Sequence, residues 1–249
     1  MFSFLPSIGP RVAETLVLFH EFESQGVNPA QMTLHFGVLL VDPRGHGVQF
    51  QDVSPVDLIA NLSNEYLSLT PGPNILDPIR PFGIDLAMHY IADSLEPVRL
   101  TAGVTVVPTD TYETCPALDY LWIPGPSPMY QPSAAEITFV RARYAEVKTV
   151  FSICTGSIVL GASGIADGRC ATGNRGVIEM LKQHFPKVQW SAEDRWVVDE
   201  EAKLWTCGGA QTGIDMLATY IKKHFHPAVV GFAMTAGDFE IRQQKYPTV

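Results

Sequence analysis

The sequence predicts an α/β fold, a single-domain three-layer sandwich with a mainly parallel sheet. Short apolar runs alternate with segments of helical spacing over most of the 249 residues. Proline, glycine or aspartate ends several of these runs, as is typical of buried strands. One run, residues 147–153, leads directly into Cys154 and a series of small residues. Strands that alternate with helices pair mostly in parallel and need helices on both faces of the sheet.

The first predicted strand is the apolar run 34–41 (LHFGVLLV), which Asp42-Pro43 ends. Ser54 and Pro55 then predict a helix over residues 56–66, since serine caps a helix and proline suits its first position. Residues 70–85 are rich in proline and glycine and predict a loop.

The rest of the chain continues the alternation. Predicted strands cover residues 88–92, 98–107, 118–123, 147–153, 196–198 and 203–206, and predicted helices cover 134–144, 155–165, 176–184 and 213–224. Residues 1–33 are predicted to form an appended N-terminal helical arm, because Val12, Leu16, Phe19 and Phe22 stand at helical spacing. Residues 34–249 then form one domain.

The composition excludes several classes of protein. Hydrophobic residues make up 46% and charged residues 17%, so the chain can fold around a full core. A net charge of −9 argues against binding to nucleic acid, which needs clustered lysine and arginine. No apolar run reaches the roughly 20 residues of a membrane span, and the start of the chain does not resemble a secretory signal. We therefore expect a cytoplasmic protein that binds neither nucleic acid nor membrane.

The four cysteines are Cys115, Cys154, Cys170 and Cys207. They are widely spaced and form no CxxC pair, so the sequence predicts neither a metal site nor a disulfide scaffold. Cys154 has the clearest context for chemistry, because it stands between a β-branched strand and Thr155-Gly156-Ser157. A nucleophile at such a turn needs small neighbours, and the N-terminus of the following helix lowers the pKa of a thiol. The alternative is a buried core cysteine.

Five stretches resemble the ThiJ/PfpI superfamily, whose fold is related to the class I glutamine amidotransferases. They are FGVLLV (36–41), VQFQDVSPVDLI (48–59), LDYLWIPG (118–125), SICTGSIVLGASGIADGRCAT (152–172) and GGAQTGIDML (208–217). The cysteine stretch is most similar to the isocyanide (isonitrile) hydratase branch. The resemblance implies a nucleophile elbow at Cys154, no cofactor, a small-molecule substrate and a homodimer.

The resemblance also implies an acidic partner for the cysteine. Asp52 matches the approach to that position, whereas ungapped counting back from Pro55 would place Gln51 there. Thr155 follows the nucleophile and completes the expected catalytic set of Cys154, Asp52 and Thr155. Gly125, Asn174 and Gly209 are expected on the substrate or oxyanion side.

Two departures from the family pattern bear on the mechanism. Asn174 stands where many relatives have a histidine, and an amide cannot move a proton at neutral pH. Pro126 replaces the second glycine of a Pro-Gly-Gly turn and has no N–H to donate, so the oxyanion site depends on Gly125 or on Thr155 alone. Of the histidines, His46 precedes Asp52 in a loop and could approach the site, although a surface position fits it better.

The implied reaction is addition of water to an isocyanide, through a thioimidate on Cys154, to give an N-substituted formamide. A glyoxalase-like or deglycase-like activity on small α-oxoaldehydes is the second possibility, which the missing histidine disfavours. A non-catalytic redox-sensing or ligand-sensing protein is the third. The fate of the thiol would distinguish the sensor from an enzyme.

Overall fold

The computed structural model describes residues 32–69 and 76–247. The predicted N-terminal arm lies almost wholly outside these residues, as does part of the predicted loop 70–85. The described chain contains the strands β1 (Leu34–Leu39), β2 (Leu86–Ala92), β3 (Val98–Arg99), β4 (Thr105–Val106), β5 (Asp110–Thr111), β6 (Tyr120–Ile123), β7 (Thr149–Ile153), β8 (Cys170–Thr172), β9 (Gln189–Ser191), β10 (Trp196–Asp199) and β11 (Leu204–Cys207).

The α-helices of the described residues stand between and after these strands. They are α1 (Phe50–Val53), α2 (Asp57–Ala60), α3 (Asn64–Leu69), α4 (Ala134–Glu146), α5 (Gly156–Ser163), α6 (Ile178–His184), α7 (Ala210–His224) and α8 (Pro227–Ala236). A 3₁₀ turn at Ser54–Val56 joins α1 to α2.

The central sheet has the strand order β10-β11-β7-β6-β1-β2-β5. All neighbouring pairs in it are parallel except the edge pair β10 and β11. The helices contact one another in two groups, α5 with α4 and α6, and α7 with α1, α2 and α8. The predicted α/β class with a mainly parallel sheet is confirmed.

An aromatic cluster fills the core between the sheet and α7. Phe36, Trp122 and Phe151 lie on three adjacent strands and their ring centroids are 5.4–6.1 Å apart. Tyr220 of α7 meets Phe151 edge to face at 4.9 Å and Trp205 at 5.1 Å. Edge-to-face aromatic pairs add stabilisation beyond their buried area, so this cluster fixes α7 against the strands that lead into the site.

Two predicted elements differ in form from the structure, and the last helix was not predicted. The strand predicted over residues 98–107 is two short antiparallel strands, β3 and β4, because Ala102 and Gly103 turn the chain with φ of 62° and 77°. The helix predicted over 56–66 is interrupted where Ser63 forms a bridge with Ile84. Helix α8 was not predicted, since its sequence PAVVGFAMTA is apolar on every side and has no helical period.

Within the described ranges, no helix is both long and apolar enough to cross a membrane.

Candidate active site

Cys154 occupies the turn between strand β7 and helix α5. Its φ of 57° lies in the left-handed region, which is rare for a residue with a side chain. Three hydrogen bonds hold this conformation. The Cys154 N–H donates to the Cys207 carbonyl at 2.9 Å, while the Cys154 carbonyl accepts from the Asn174 N–H at 3.2 Å and from the Ser157 hydroxyl at 2.8 Å. The surrounding structure therefore fixes the direction in which the thiol points.

The Cys154 side chain is surrounded by polar groups although the residue is only 6% exposed. The Asn174 side-chain amide donates to the sulfur at 3.1 Å. The Thr155 N–H, at the start of α5, also stabilises negative charge on the sulfur, and the Asp52 carboxyl lies beside it. Thr155, Asn174 and Asp52 were expected at the site from the sequence, and the fold brings all three to Cys154.

Asp52 lies on α1 and is fully buried, whereas Gln51 is exposed. Its Oδ2 atom accepts the Gly125 N–H at 3.1 Å. Its Oδ1 atom is buried and has no hydrogen-bond partner among the described residues. A buried acceptor without a partner is unfavourable, so Oδ1 is a candidate acceptor for a proton or a substrate group. Of the two residues that the sequence left open for the acidic position, Asp52 is the one that faces Cys154.

Trp122 positions Asp52, a role that the sequence did not indicate. Its indole N–H donates to the Asp52 backbone carbonyl at 2.8 Å across 70 residues of chain. A tryptophan in an apolar strand looks like a packing residue, and nothing in the local pattern marks its N–H as a long-range donor. Only the sheet topology brings β6 beneath α1.

The pKa values of Asp52 and Cys154 are both raised. Burial raises the pKa of Asp52 from 3.8 to about 6, although the Gly125 N–H and the Cys154 thiol lower it. Burial, and then the charge of Asp52, raise the pKa of Cys154 to about 11, although Asn174 and Thr155 lower it. The sequence predicted that the helix N-terminus lowers the pKa of Cys154, and this prediction is wrong. Burial disfavours the charged form of both groups, and the charge of Asp52 further disfavours the thiolate of Cys154.

The groups predicted on the oxyanion side are largely engaged within the protein. The Gly125 N–H donates to Asp52, and the Thr155 hydroxyl donates to the Pro126 carbonyl at 2.6 Å. The Gly209 N–H donates to the Thr212 hydroxyl at 2.8 Å at the start of α7. Gly125 must lack a side chain, because a Cβ there would lie 2.4 Å from the Thr155 hydroxyl oxygen. The Thr155 N–H and the Asn174 side-chain amide remain as the donors that face the sulfur.

The other thiols and His46 are placed differently. Cys207 is fully buried behind Cys154, and burial raises its pKa far above the ordinary range of a thiol. Cys115 is buried too, with its pKa raised by burial to about 11, whereas Cys170 is exposed. His46 is exposed in the loop after β1. No cluster of three or more histidine, cysteine or acidic side chains that could hold a metal ion occurs in the part of the chain that the structure describes.

Comparisons with solved structures support the fold. A ThiJ/PfpI family protein from Pseudomonas syringae superimposes with a TM-score of 0.68 at 22% identity, covering 96% of this chain and 83% of that one. Drosophila melanogaster DJ-1beta gives a TM-score of 0.63 at 14% identity, covering 84% of this chain and all of that one. A transcriptional regulator of the AraC family from Pseudomonas putida gives 0.61 at 11% identity, with 82% and 100% covered.

Sequence comparison gives a more specific relationship. The chain is 33% identical over 161 residues to the isonitrile hydratase of Pseudomonas putida, a match that covers 61% of this chain and 67% of that protein. The pattern of the DJ-1/PfpI family matches residues 75–223, more than half of the chain and the part that contains Cys154 and Asn174. With the parallel sheet and the cysteine at its strand-helix turn, these matches establish that the chain belongs to the DJ-1/PfpI family.

Proposed function

We propose that this protein is an enzyme that adds water to an isocyanide and releases an N-substituted formamide, with Cys154 as nucleophile and Asp52 as acid and base. The observation that carries the proposal is the buried Asp52 carboxyl beside Cys154, whose Oδ1 atom has no partner in the described chain. The similarity to an isonitrile hydratase supports the choice of substrate.

In the first step the thiol proton of Cys154 moves to the substrate. Asp52 takes the thiol proton as the Cys154 sulfur attacks the terminal carbon of the isocyanide, and it then delivers that proton to the same carbon. One S–H bond and one C–N π bond are broken, and one C–S bond and one C–H bond form, which gives a thioimidate, R–N=CH–S–Cys154. A carboxyl with a pKa of about 6 can accept and return a proton near neutral pH.

In the second step water replaces the sulfur. The Asp52 carboxylate takes a proton from water while the hydroxyl adds to the thioimidate carbon, and Asp52 passes that proton to the nitrogen. The carbon–sulfur bond then breaks, the hydroxyl proton returns to the sulfur through Asp52, and R–NH–CHO leaves. Thiol and carboxylate are restored without any other reactant.

Asn174 and Thr155 support both steps by their position. Negative charge develops on the sulfur when Asp52 takes its proton and again when the C–S bond breaks. The Asn174 amide at 3.1 Å and the Thr155 N–H stabilise that charge. A route in which one carboxyl moves every proton also needs no histidine, in agreement with the amide at position 174.

A product assay tests the proposal. The purified protein is incubated with cyclohexyl isocyanide, and N-cyclohexylformamide is measured by NMR. We expect turnover that Cys154→Ala abolishes. Cys170→Ser, which removes the exposed thiol, is the matched control and should keep wild-type turnover.

Two other results would contradict the proposal. Consumption of methylglyoxal without formamide production would favour the activity on α-oxoaldehydes. Oxidation of Cys154 to a stable sulfinic acid, with no turnover of either substrate, would favour a sensor.

A further inference from the structure

The C-terminal residues 242–246 run antiparallel to the segment before β10. The Arg195 N–H donates to the Gln244 carbonyl at 2.7 Å, and the Tyr246 N–H donates to the Glu193 carbonyl at 3.0 Å. Asp194 and Lys245 form an antiparallel bridge between these two bonds. This tail, residues 242–246, is therefore held as a short extra strand.

A buried carboxylate fixes the start of the tail. Asp215 on α7 is fully buried, and its Oδ1 atom accepts the Arg242 backbone N–H at 3.0 Å. The Arg242 side chain lies 3.2 Å from Oδ2, and Arg195 forms an ion pair with the same oxygen. Backbone and side-chain bonds together determine where the tail lies, and hence the position of its last aromatic residue.

The Tyr246 hydroxyl lies over the backbone that surrounds Cys154. A Cβ added to Gly208 would be 2.5 Å from the Tyr246 oxygen and 3.4 Å from the Gly173 carbonyl oxygen. Gly208 follows Cys207, whose carbonyl accepts the Cys154 N–H. Gly173 precedes Asn174, whose amide donates to the Cys154 sulfur. Tyr246 thus stands one residue away from two groups that contact Cys154.

Arg175 holds the ring of Tyr246 from another side. Its guanidinium carbon is 4.2 Å from the ring centroid, a favourable cation–π contact. Burial raises the pKa of Tyr246, the charges of Arg175 and Arg195 lower it, and those of Cys207 and Cys154 raise it. The ring is therefore partly buried and electrostatically coupled to the candidate nucleophile.

We propose that the Tyr246 ring, backed by Arg175, forms one wall of the approach to Cys154 and limits the size of the group that can reach the sulfur. Because Cys154 is only 6% exposed, a single ring at its approach can decide which electrophiles reach it. The identity of the limited group, the nitrogen substituent of an isocyanide, rests on the proposed function. The wall itself does not, since it acts on any electrophile.

The experiment measures access to the thiol without using turnover. In a Cys170→Ser background, Cys154 is alkylated at one pH by iodoacetamide and by N-benzyl-iodoacetamide, and mass spectrometry gives both rate constants. Both reagents have the same reacting group, so the ratio of the two rates does not depend on the pKa of the thiol. We expect Tyr246→Ala to raise the relative rate of the benzyl reagent about tenfold. Differences in the shape of a binding pocket change selectivity by about this factor.

Three further single variants and one double variant keep the test decisive. Tyr246→Phe keeps the ring and should keep the wild-type ratio, as should Lys245→Ala, which changes an exposed neighbour in the tail. Gly208→Ala places a methyl group against the Tyr246 oxygen and should change the ratio. Adding Tyr246→Phe removes the oxygen that the methyl group meets and should reverse that change. If Gly208→Ala acted only by releasing the tail from its place, Tyr246→Phe would not reverse the change.

An unchanged ratio in Tyr246→Ala would overturn the proposal. A changed ratio in a protein that turns over no isocyanide would uphold the wall and refute the proposed function. If the protein is a hydratase, kcat/KM for benzyl isocyanide relative to methyl isocyanide should follow the alkylation ratio.

Discussion

Asp52 and Asp215 are both fully buried, yet their carboxyl groups have different numbers of hydrogen-bond and ion-pair partners. Both oxygens of Asp215 are engaged, by the backbone and guanidinium of Arg242 and by Arg195. Asp52 receives one backbone N–H, from Gly125, and its Oδ1 atom has no partner among the described residues. A buried charge normally needs full pairing, which Asp215 has.

We propose that the difference separates a structural carboxylate from a reactive one. Complete pairing leaves Asp215 nothing further to bind. Burial raises the pKa of Asp52 to about 6, and its incomplete pairing leaves an oxygen free for a proton or a substrate. Under the proposed function, burial together with a missing partner beside Cys154, rather than burial alone, distinguishes the functional acid.

The largest expected effect is on activity. Asp52→Asn keeps the shape of the side chain and an acceptor for the Gly125 N–H, but it cannot move a proton. We expect kcat/KM for formamide production to fall about a hundredfold to ten-thousandfold, the usual contribution of a general acid–base group. Equal kinetics in the variant and the wild type would remove Asp52 from the mechanism and end the contrast with Asp215.

The next effect is on stability. Asp215→Asn leaves Arg195 buried without its counter-charge, and we expect the free energy of unfolding in urea to fall by about 3–5 kcal/mol. Arg242→Ala is the graded control, because the Arg242 side chain is 41% exposed and its loss should cost much less. A fall in stability under about 1 kcal/mol for Asp215→Asn would mean that the pair contributes little to the fold.

A smaller effect, opposite in sign, is expected for the stability of Asp52→Asn. The folded pKa of Asp52, about 6, lies above its ordinary value of 3.8. The folded state therefore binds the proton more tightly than the unfolded state, and this stabilisation, present below pH 3.8, is lost as the pH rises through about 6. The shift corresponds to roughly 3 kcal/mol.

Asp52→Asn removes this pH dependence, so its stability relative to the wild type should increase between pH 4 and pH 7. Unfolding free energies in urea at several pH values measure this difference. A constant difference across the range would show that ionisation of Asp52 does not oppose folding.

The sequence predicted well those features that depend on local pattern. The β-branched run before Cys154 and the small residues after it predicted a strand, a turn and a helix, and β7 and α5 are found there. The short spacing to Pro55 left Gln51 and Asp52 as alternatives for the acid. The geometry of α1 distinguishes these two residues, because it buries the Asp52 side chain and exposes that of Gln51.

Features that depend on distant contacts could not be predicted. The indole bond from Trp122 to Asp52 and the position of Tyr246 both result from segments that are far apart in the chain. The pKa of Cys154 was predicted with the wrong sign, since the helix N-terminus is visible in the sequence while burial and the nearby Asp52 charge are not.

The left-handed backbone of Cys154 also bears on how the protein can evolve. A residue with a side chain held at φ near 57° costs roughly 1–2 kcal/mol that glycine would not. Glycine at this position would relieve that strain, but it would also lose the packing of a side chain that belongs to the buried core. Under the proposed function, the chemistry of the thiol explains why a strained side chain is kept at this turn.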